Sequence, residues 1–177
     1  MDLDIETELN THLLAVQAIE QQSLRLLSMA ADLAADQQIA AVYRTHRSQT
    51  ESHERAVAER ILARGATSPV TGRTSASGLE TIEIRFAPGA SGATLAVAAY
   101  VFENLEIAAY HILRGVAERA DDHETAAIAE SSLDQEEAAA EVLANVFDRA
   151  LAVSLGEQPT GPMAGFEHPG DDSANRA

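Results

Sequence analysis

Two acids stand where a helical chain should bury hydrocarbon. Leu13, Val16, Glu20, Leu24, Leu27 and Ala31 follow at spacings of 3, 4, 4, 3 and 4, the stripe of an amphipathic helix, with Glu20 at its centre. Ala99, Phe102, Glu106, Tyr110, Leu113 and Ala117 repeat that spacing, and Glu106 takes the same slot. A carboxylate in an apolar seam is costly unless a cation, a metal ion or a proton compensates it. Two acids in register ask for a shared cause. Metal ligation is the chemistry that would supply one; pairing with arginine or retention of the proton are the plain structural alternatives.

The elements that carry these acids follow from composition and punctuation. The chain has 177 residues, 46% apolar but only 4% aromatic, which suits one domain of closely packed, alanine-rich helices rather than a β-sandwich. A first helix is expected from about Asp4 to Ala34, then a turn at Ala35-Asp36 with Asp36 as N-cap of the second. The second runs to Arg64, where Gly65 is suited to a left-handed stop. From about 65 to 92 the chain turns to Gly, Ser, Thr and Pro; inside this stretch Thr81-Ile-Glu-Ile-Arg-Phe86 alternates like a strand and is expected as extended chain along a helix. A connection of this length is suited to crossing a bundle end to end, since a helix of ~30 residues is ~45 Å long. The third helix is expected from near Ala93 to about Ala120. Asp121 or Asp122 caps the fourth, with Asp121 and Glu124 as a capping box, and that helix continues to about Leu155. Residues 156–177, with Pro159, Pro162 and Pro169, are expected to be a disordered tail.

The two halves also match each other. An offset of 86 residues, the separation of Glu20 from Glu106, pairs Leu27 with Leu113, Asp36 with Asp122, Gln49 with Gln135 and Glu51 with Glu137 without a gap. The fold class is therefore all-α: a four-helix bundle over residues 1–155, two antiparallel hairpins joined by the crossover at about 65–92.

Hairpin geometry tells which residues stand level with the acids. Glu20 falls opposite Gln49 to His53, and Glu106 opposite Gln135 to Ala139. At ~100° per residue His46, Thr50 and His53 turn inward, as does Glu136, whereas Glu51, Arg55 and Glu137 turn out. Ferritin-like carboxylate bundles build a two-metal site from one Glu on each of two helices and Glu-x-x-His on each of the others. Here those windows read Thr50-x-x-His53 and Glu136-x-x-Ala139. Each keeps half of the motif, so Glu20, His53, Glu106 and Glu136 are the expected metal ligands. Glu54 and Glu103, at the edges of their stripes, are less central candidates; Gln49 and Gln135 are weak carbonyl ligands or supporting partners.

The hairpin around Glu20, the segment His46 to Glu54 and Glu103-Asn-Leu-Glu-Ile-Ala-Ala-Tyr110 resemble the bacterial ferritin-like stress proteins of the YciE/YciF type. The resemblance covers roughly residues 8 to 154. It implies a ferritin-like bundle, a homodimer and an iron site. Those proteins typically carry Glu where Gln49 stands, followed by Thr as at Thr50, so this chain lacks one carboxylate of the pattern.

Other chemistry is set aside by what is missing. There is no cysteine, which removes disulfides, thiolate metal sites and cysteine nucleophiles. All twelve basic residues are arginine, which removes Schiff-base lysines and the P-loop. A net charge of −16 argues against nucleic acid or an anionic membrane as partner, and no apolar run is long enough to span a bilayer, so a cytoplasmic protein is expected. Arg60 leans inward but lies about two turns past His53, at the wrong level to neutralise the acids. His46, ~10 Å of rise from His53, is read as structural. Core packing is the default for Tyr43 and Tyr110, with hydrogen bonding or electron relay beside a metal as the alternative. The expected function is a ferritin-like, metal-binding stress-response protein holding iron or another divalent metal, with ferroxidase-like or peroxide-consuming activity if the site is active. The rival is a metal-free helical stress protein or oligomerisation module with a vestigial site.

Overall fold

Asp4 opens the first helix, accepting hydrogen bonds from the Glu6 N–H and the Thr7 hydroxyl, and Glu6 and Glu8 place negative charge on the positive end of its dipole. The computed structural model describes residues 4–66, 90–159 and 161. Its helices are α1 (Ile5–Leu33), α2 (Gln37–Arg64), α3 (Gly92–Arg119), α4 (His123–Ala144) and α5 (Val146–Ser154). Asp36 caps α2 as expected, its carboxylate accepting from the N–H groups of Gln38 and Ile39 at 2.9 and 3.1 Å. Gly65 ends α2 in the left-handed region at φ 61°.

Of the two aspartates expected as candidate caps of the fourth helix, Asp122 caps α4 through the Thr125 N–H at 3.0 Å, while Asp121 makes the turn itself at φ 53° in place of the capping box expected with Glu124. The fourth helix also does not run unbroken to Leu155. At Asn145 the N–H bonds back three residues to Val142 at 3.1 Å, and the chain restarts as α5. Tightening of this kind redirects a helix. It brings Ser154 onto the start of α3, where its hydroxyl accepts from the Ala93 N–H at 3.1 Å. The extended reading of Thr81 to Phe86, most of the crossover and nearly all of the tail lie outside the described residues.

Helices α1 and α2 pack as one hairpin and α3 with α4 as the other; α1 also packs on α3 and α2 on α4, so α2 and α3 are diagonal. The ends are tied across the hairpins. At one end Arg60 grips Asp122 at 2.7 Å, Glu124 at 2.9 Å and the Thr125 hydroxyl at 2.8 Å, while Arg64 reaches both Asp122 and Glu6. At the other end Arg149 pairs with Asp36 at 2.8 Å. The end of α2 and the start of α3 therefore lie at opposite ends of the bundle. No helix among the described residues is long and apolar enough to cross a membrane.

The interior is divided in two. One apolar cluster holds Leu9, Leu13, Val16, Val57, Ile61, Phe102 and Leu113; the other holds Leu27, Ile39, Val42, Tyr43, Ala96, Leu143 and Val146. Each large aliphatic side chain so buried contributes about 1.5–3 kcal/mol. Between the two clusters lies a layer of buried acids and histidines. This is a ferritin-like four-helix bundle.

Candidate metal centre

The periodicity that puts Glu20 on the inner face of α1 puts His46 and His53 on that of α2, Glu103 and Glu106 on that of α3, and Glu136 on that of α4. All six are between 0 and 3% exposed. They form two donor groups: His46, Glu103, Glu106 and Glu136 in one, Glu20, His53 and Glu136 in the other, the ligand atoms within each lying inside 4.8 Å of one another. Glu136 belongs to both.

Every acid in the layer has one oxygen engaged and the other left over. Glu20 Oε1 accepts from the Tyr110 phenol at 2.5 Å, and Glu106 Oε2 from the Ser23 hydroxyl at 3.2 Å. Glu136 Oε1 lies 2.7 Å from His53 Nδ1, and Glu103 Oε2 lies 2.6 Å from His46 Nε2. With the acids ionised, Glu20 Oε2, Glu103 Oε1, Glu106 Oε1 and Glu136 Oε2 meet no hydrogen-bond donor among the described residues; Glu103 and Glu136 can bond to each other only when one of them keeps its proton. A buried polar atom left unpaired typically costs about 1–3 kcal/mol, more when charged. Four such oxygens converge in one layer.

The far nitrogens of the imidazoles are held as well. His46 Nδ1 lies 3.3 Å from Gln49 Oε1, and His53 Nε2 lies 3.3 Å from Gln135 Oε1. The two glutamines matched by the internal repeat therefore do the same job: each accepts from the outer nitrogen and turns the inner one toward the acids. Tyr110 also packs edge-on against His53, ring centroids 6.2 Å apart.

The electrostatics follow from burial and crowding. Burial and the charge of Glu136 push Glu20 up to about 8. Burial, with the crowding of Glu136, pushes Glu103 up to about 8 against the influence of His46. Glu106 is raised well above its ordinary value by burial and then by Glu136 and Glu20. Glu136 goes the other way: burial works to raise it, but hydrogen bonding to His53 and Glu103 and the charges of both imidazoles hold it low. Burial disfavours the charged form of His46 and His53, yet Glu103 in the first case and Glu136 in the second raise both above the usual imidazole value. Without a metal, the layer is thus neutralised by protons.

Of the residues expected from sequence, Glu20, His53, Glu106, Glu136 and Glu103 come together in this layer. Glu54 stands outside both donor groups: one position past His53, it faces the α1 seam and accepts from Gln17 and Gln21 at 3.2 and 3.1 Å. Arg60 is committed to the far end and does not reach the acids. Thr50 and Ala139, the degenerate halves of the two motifs, are buried beside the layer. Sequence reasoning set His46 aside because it could not share an ion with His53. The two do sit in separate groups, but both groups exist. The signals were the seven-residue interval from His46 to His53 and the Glu103-x-x-Glu106 spacing, which extend the polar layer along the same faces.

Three solved structures share this architecture. A protein from Xanthomonas campestris pv. campestris is 20% identical, with a TM-score of 0.69 over 86% of this chain and 96% of its own. The E. coli stress protein YciF is 20% identical, with a TM-score of 0.68 over 89% of this chain and 100% of its own. The bacterioferritin-related protein of Bacteroides fragilis, described as a dodecameric thioferritin, is 18% identical, with a TM-score of 0.71 over 87% of this chain and 92% of its own. At these identities the likeness is one of fold. No curated protein matches the chain. The sequence model of the family described as "Domain of unknown function (DUF892)" matches residues 5–155, so the chain belongs to that family, and its fold is the ferritin-like bundle that it shares with YciF and the B. fragilis protein.

Proposed function

We propose that the polar layer is a metal centre for iron or a similar divalent ion, and that the protein serves as a ferritin-like, metal-binding stress protein. The observation that carries this reading is the set of four carboxylate oxygens, one from each acid, buried in a single layer and, when ionised, without a hydrogen-bond donor among the described residues. Glu20, His53 and Glu136 would hold one ion, and His46, Glu103, Glu106 and Glu136 the other. Two divalent ions are balanced in charge by four ionised carboxylates, which favours two ions over one. Iron in such a centre supplies a change of oxidation state, Fe(II) to Fe(III), with dioxygen or peroxide as oxidant.

The chain's own residues prepare the site. Tyr110 and Ser23 each occupy one oxygen of an acid and so aim the other. Gln49 and Gln135 select the inward nitrogen of each histidine. The apolar clusters on either side exclude water, which strengthens every interaction between the charges. The role in stress is carried over from the description of YciF, and the homodimer from the family resemblance; the B. fragilis relative, described as dodecameric, makes solution mass the measurement that decides the assembly.

The test is anaerobic addition of Fe(II) followed by air. A stoichiometric absorbance change that is lost in Glu20→Ala supports the centre; no change in wild type favours a metal-free helical module. That second reading draws on one observation, the raised acids and histidines, which let protons alone neutralise the layer.

A further inference from the structure

We infer that residues 162–172 of this chain dock in a groove on the outer side of the α1–α2 hairpin, Met163 and Phe166 covering its apolar strip and Glu167 pairing with Arg25 at its far end. Nothing in this depends on the metal centre.

The groove, of about 560 Å³, is lined by Leu24, Arg25, Ser28, Met29, Asp32 and Leu33 of α1 and by Arg47 of α2. Leu24 and Ser28 are half-buried, while Met29 and Leu33, one turn apart on the same face, stand 39% and 52% exposed. Apolar surface rimmed by charge suits an interaction. Arg25 has no ion pair among the described residues, and Arg47 is engaged by the exposed Glu51 at 2.7 Å. Two arginines beside exposed hydrocarbon favour an occupant that is apolar and acidic at once.

The chain itself delivers such a segment to the groove. After α5 it turns at Gly156, φ 74°; Pro159 is half-buried, and the Gly161 carbonyl accepts from Arg149 at 3.0 Å. Arg149 also pairs with Asp36, the cap of α2, at 2.8 Å, which places Gly161 beside the α1–α2 turn, at the groove's near end. From Asp36 back to Arg25 is ~17 Å of helix. Extended chain advances ~3.3 Å per residue, so Met163 has the reach for Leu33, Phe166 for Met29 and Glu167 for Arg25. Asp171 and Asp172 follow within reach of Arg47. Pro162 and Pro169 fix φ and so lessen the entropy lost on docking. The segment lies past residue 155, where the family match stops, so this contact is drawn from this chain alone.

Cysteine pairs test it, because the full chain has no cysteine of its own and an introduced pair forms the one disulfide available. Under mild oxidation Ser28→Cys with Ala164→Cys should close within one chain about tenfold faster than Ala108→Cys with Ala164→Cys, whose first site is exposed on α3. Phe166→Ala should slow the first pair about tenfold. Arg25→Glu should slow it about threefold, and adding Glu167→Arg should restore it. Equal rates for the two pairs, or indifference to Phe166→Ala, would overturn the assignment. So would a disulfide formed between chains, which gives the groove to a second copy, or faster closure of Ser28→Cys with Ile84→Cys, which gives it to the crossover. Should Arg25→Glu fail to fold, the Phe166→Ala comparison decides, since that change lies outside every helix of the bundle.

Discussion

Glu136 is the side chain on which the layer turns, because it alone belongs to both donor groups and is the acid held ionised while its neighbours keep their protons. That arrangement has a pH signature. Glu20 and Glu103 titrate near 8 in the folded protein against 4.5 for the free side chain, so above pH 4.5 the folded state holds more protons than the unfolded one and stability falls as pH rises toward 8. His46 and His53, raised above 6.5, act in the same sense: their contribution is complete below 6.5 and is lost as pH climbs through their folded values. Urea unfolding of metal-free protein at pH 5, 6.5 and 8 should show this contribution decline step by step. Metal loading should run opposite, strengthening with pH and releasing protons. Glu106→Gln removes a buried acid that is raised well above its ordinary value, so metal-free protein should keep or gain stability, by up to about 2 kcal/mol. The same variant should lose most of the rise in melting temperature that metal confers on wild type. At this scale the sequence was informative where an acid interrupted an apolar stripe, as at Glu20, Glu106 and Glu136. It was less so at His46 and Glu103, because counting one level across the bundle assumes a single compact centre, whereas the donors extend along its axis. Glu54 misled because a stripe-edge residue can turn to a neighbouring helix seam as readily as to the core.

Helix ends are where the elements are fastened. Asp36 and Asp122, matched by the repeat, each cap the second helix of their own hairpin and are each gripped by arginine from the other hairpin. Burial works to raise Asp122, but hydrogen bonds from Thr125 and Arg60 with the Arg60 charge hold it at about 2. Its contribution is therefore present above about pH 4 and lost as pH falls toward 2. Asp122→Asn keeps an oxygen for the cap but removes the charge from the Arg60–Arg64 clasp, and should cost about 1–3 kcal/mol at pH 7; most of that deficit should vanish near pH 2, as comparative denaturation at the two pH values would show. Gly65→Ala meets no neighbouring atom among the described residues, so its effect isolates the backbone: holding φ at +61° should cost about 1–2 kcal/mol. The caps at Asp36 and Gly65 were legible because their residue types are selected by backbone geometry. The break at Asn145 was not, since Val146 and Ala150 continue the buried pattern past it.

At the scale of the molecule, a polar layer is set between two apolar clusters, and a chain that needed only stability would have filled it with leucine. The layer is tolerable without metal because protons neutralise it, and a ligand that displaces them adds stability by mass action, about 2.7 kcal/mol when free ion is a hundred times its dissociation constant. Apolar periodicity, the two hairpin turns and the long crossover made the all-α bundle readable from sequence. Which side chains meet across the bundle depends on helix rotation and tilt, which spacing alone leaves open by a residue or two.

Metal content of the full chain is the most direct measurement. Protein purified without chelator, reloaded anaerobically with Fe(II) and freed of excess should carry about two ions per chain, and Glu136→Ala, lacking the donor common to both groups, should retain well under one. A folded wild-type chain that holds no metal after loading, or a Glu136→Ala chain that holds as much as wild type, would contradict the account.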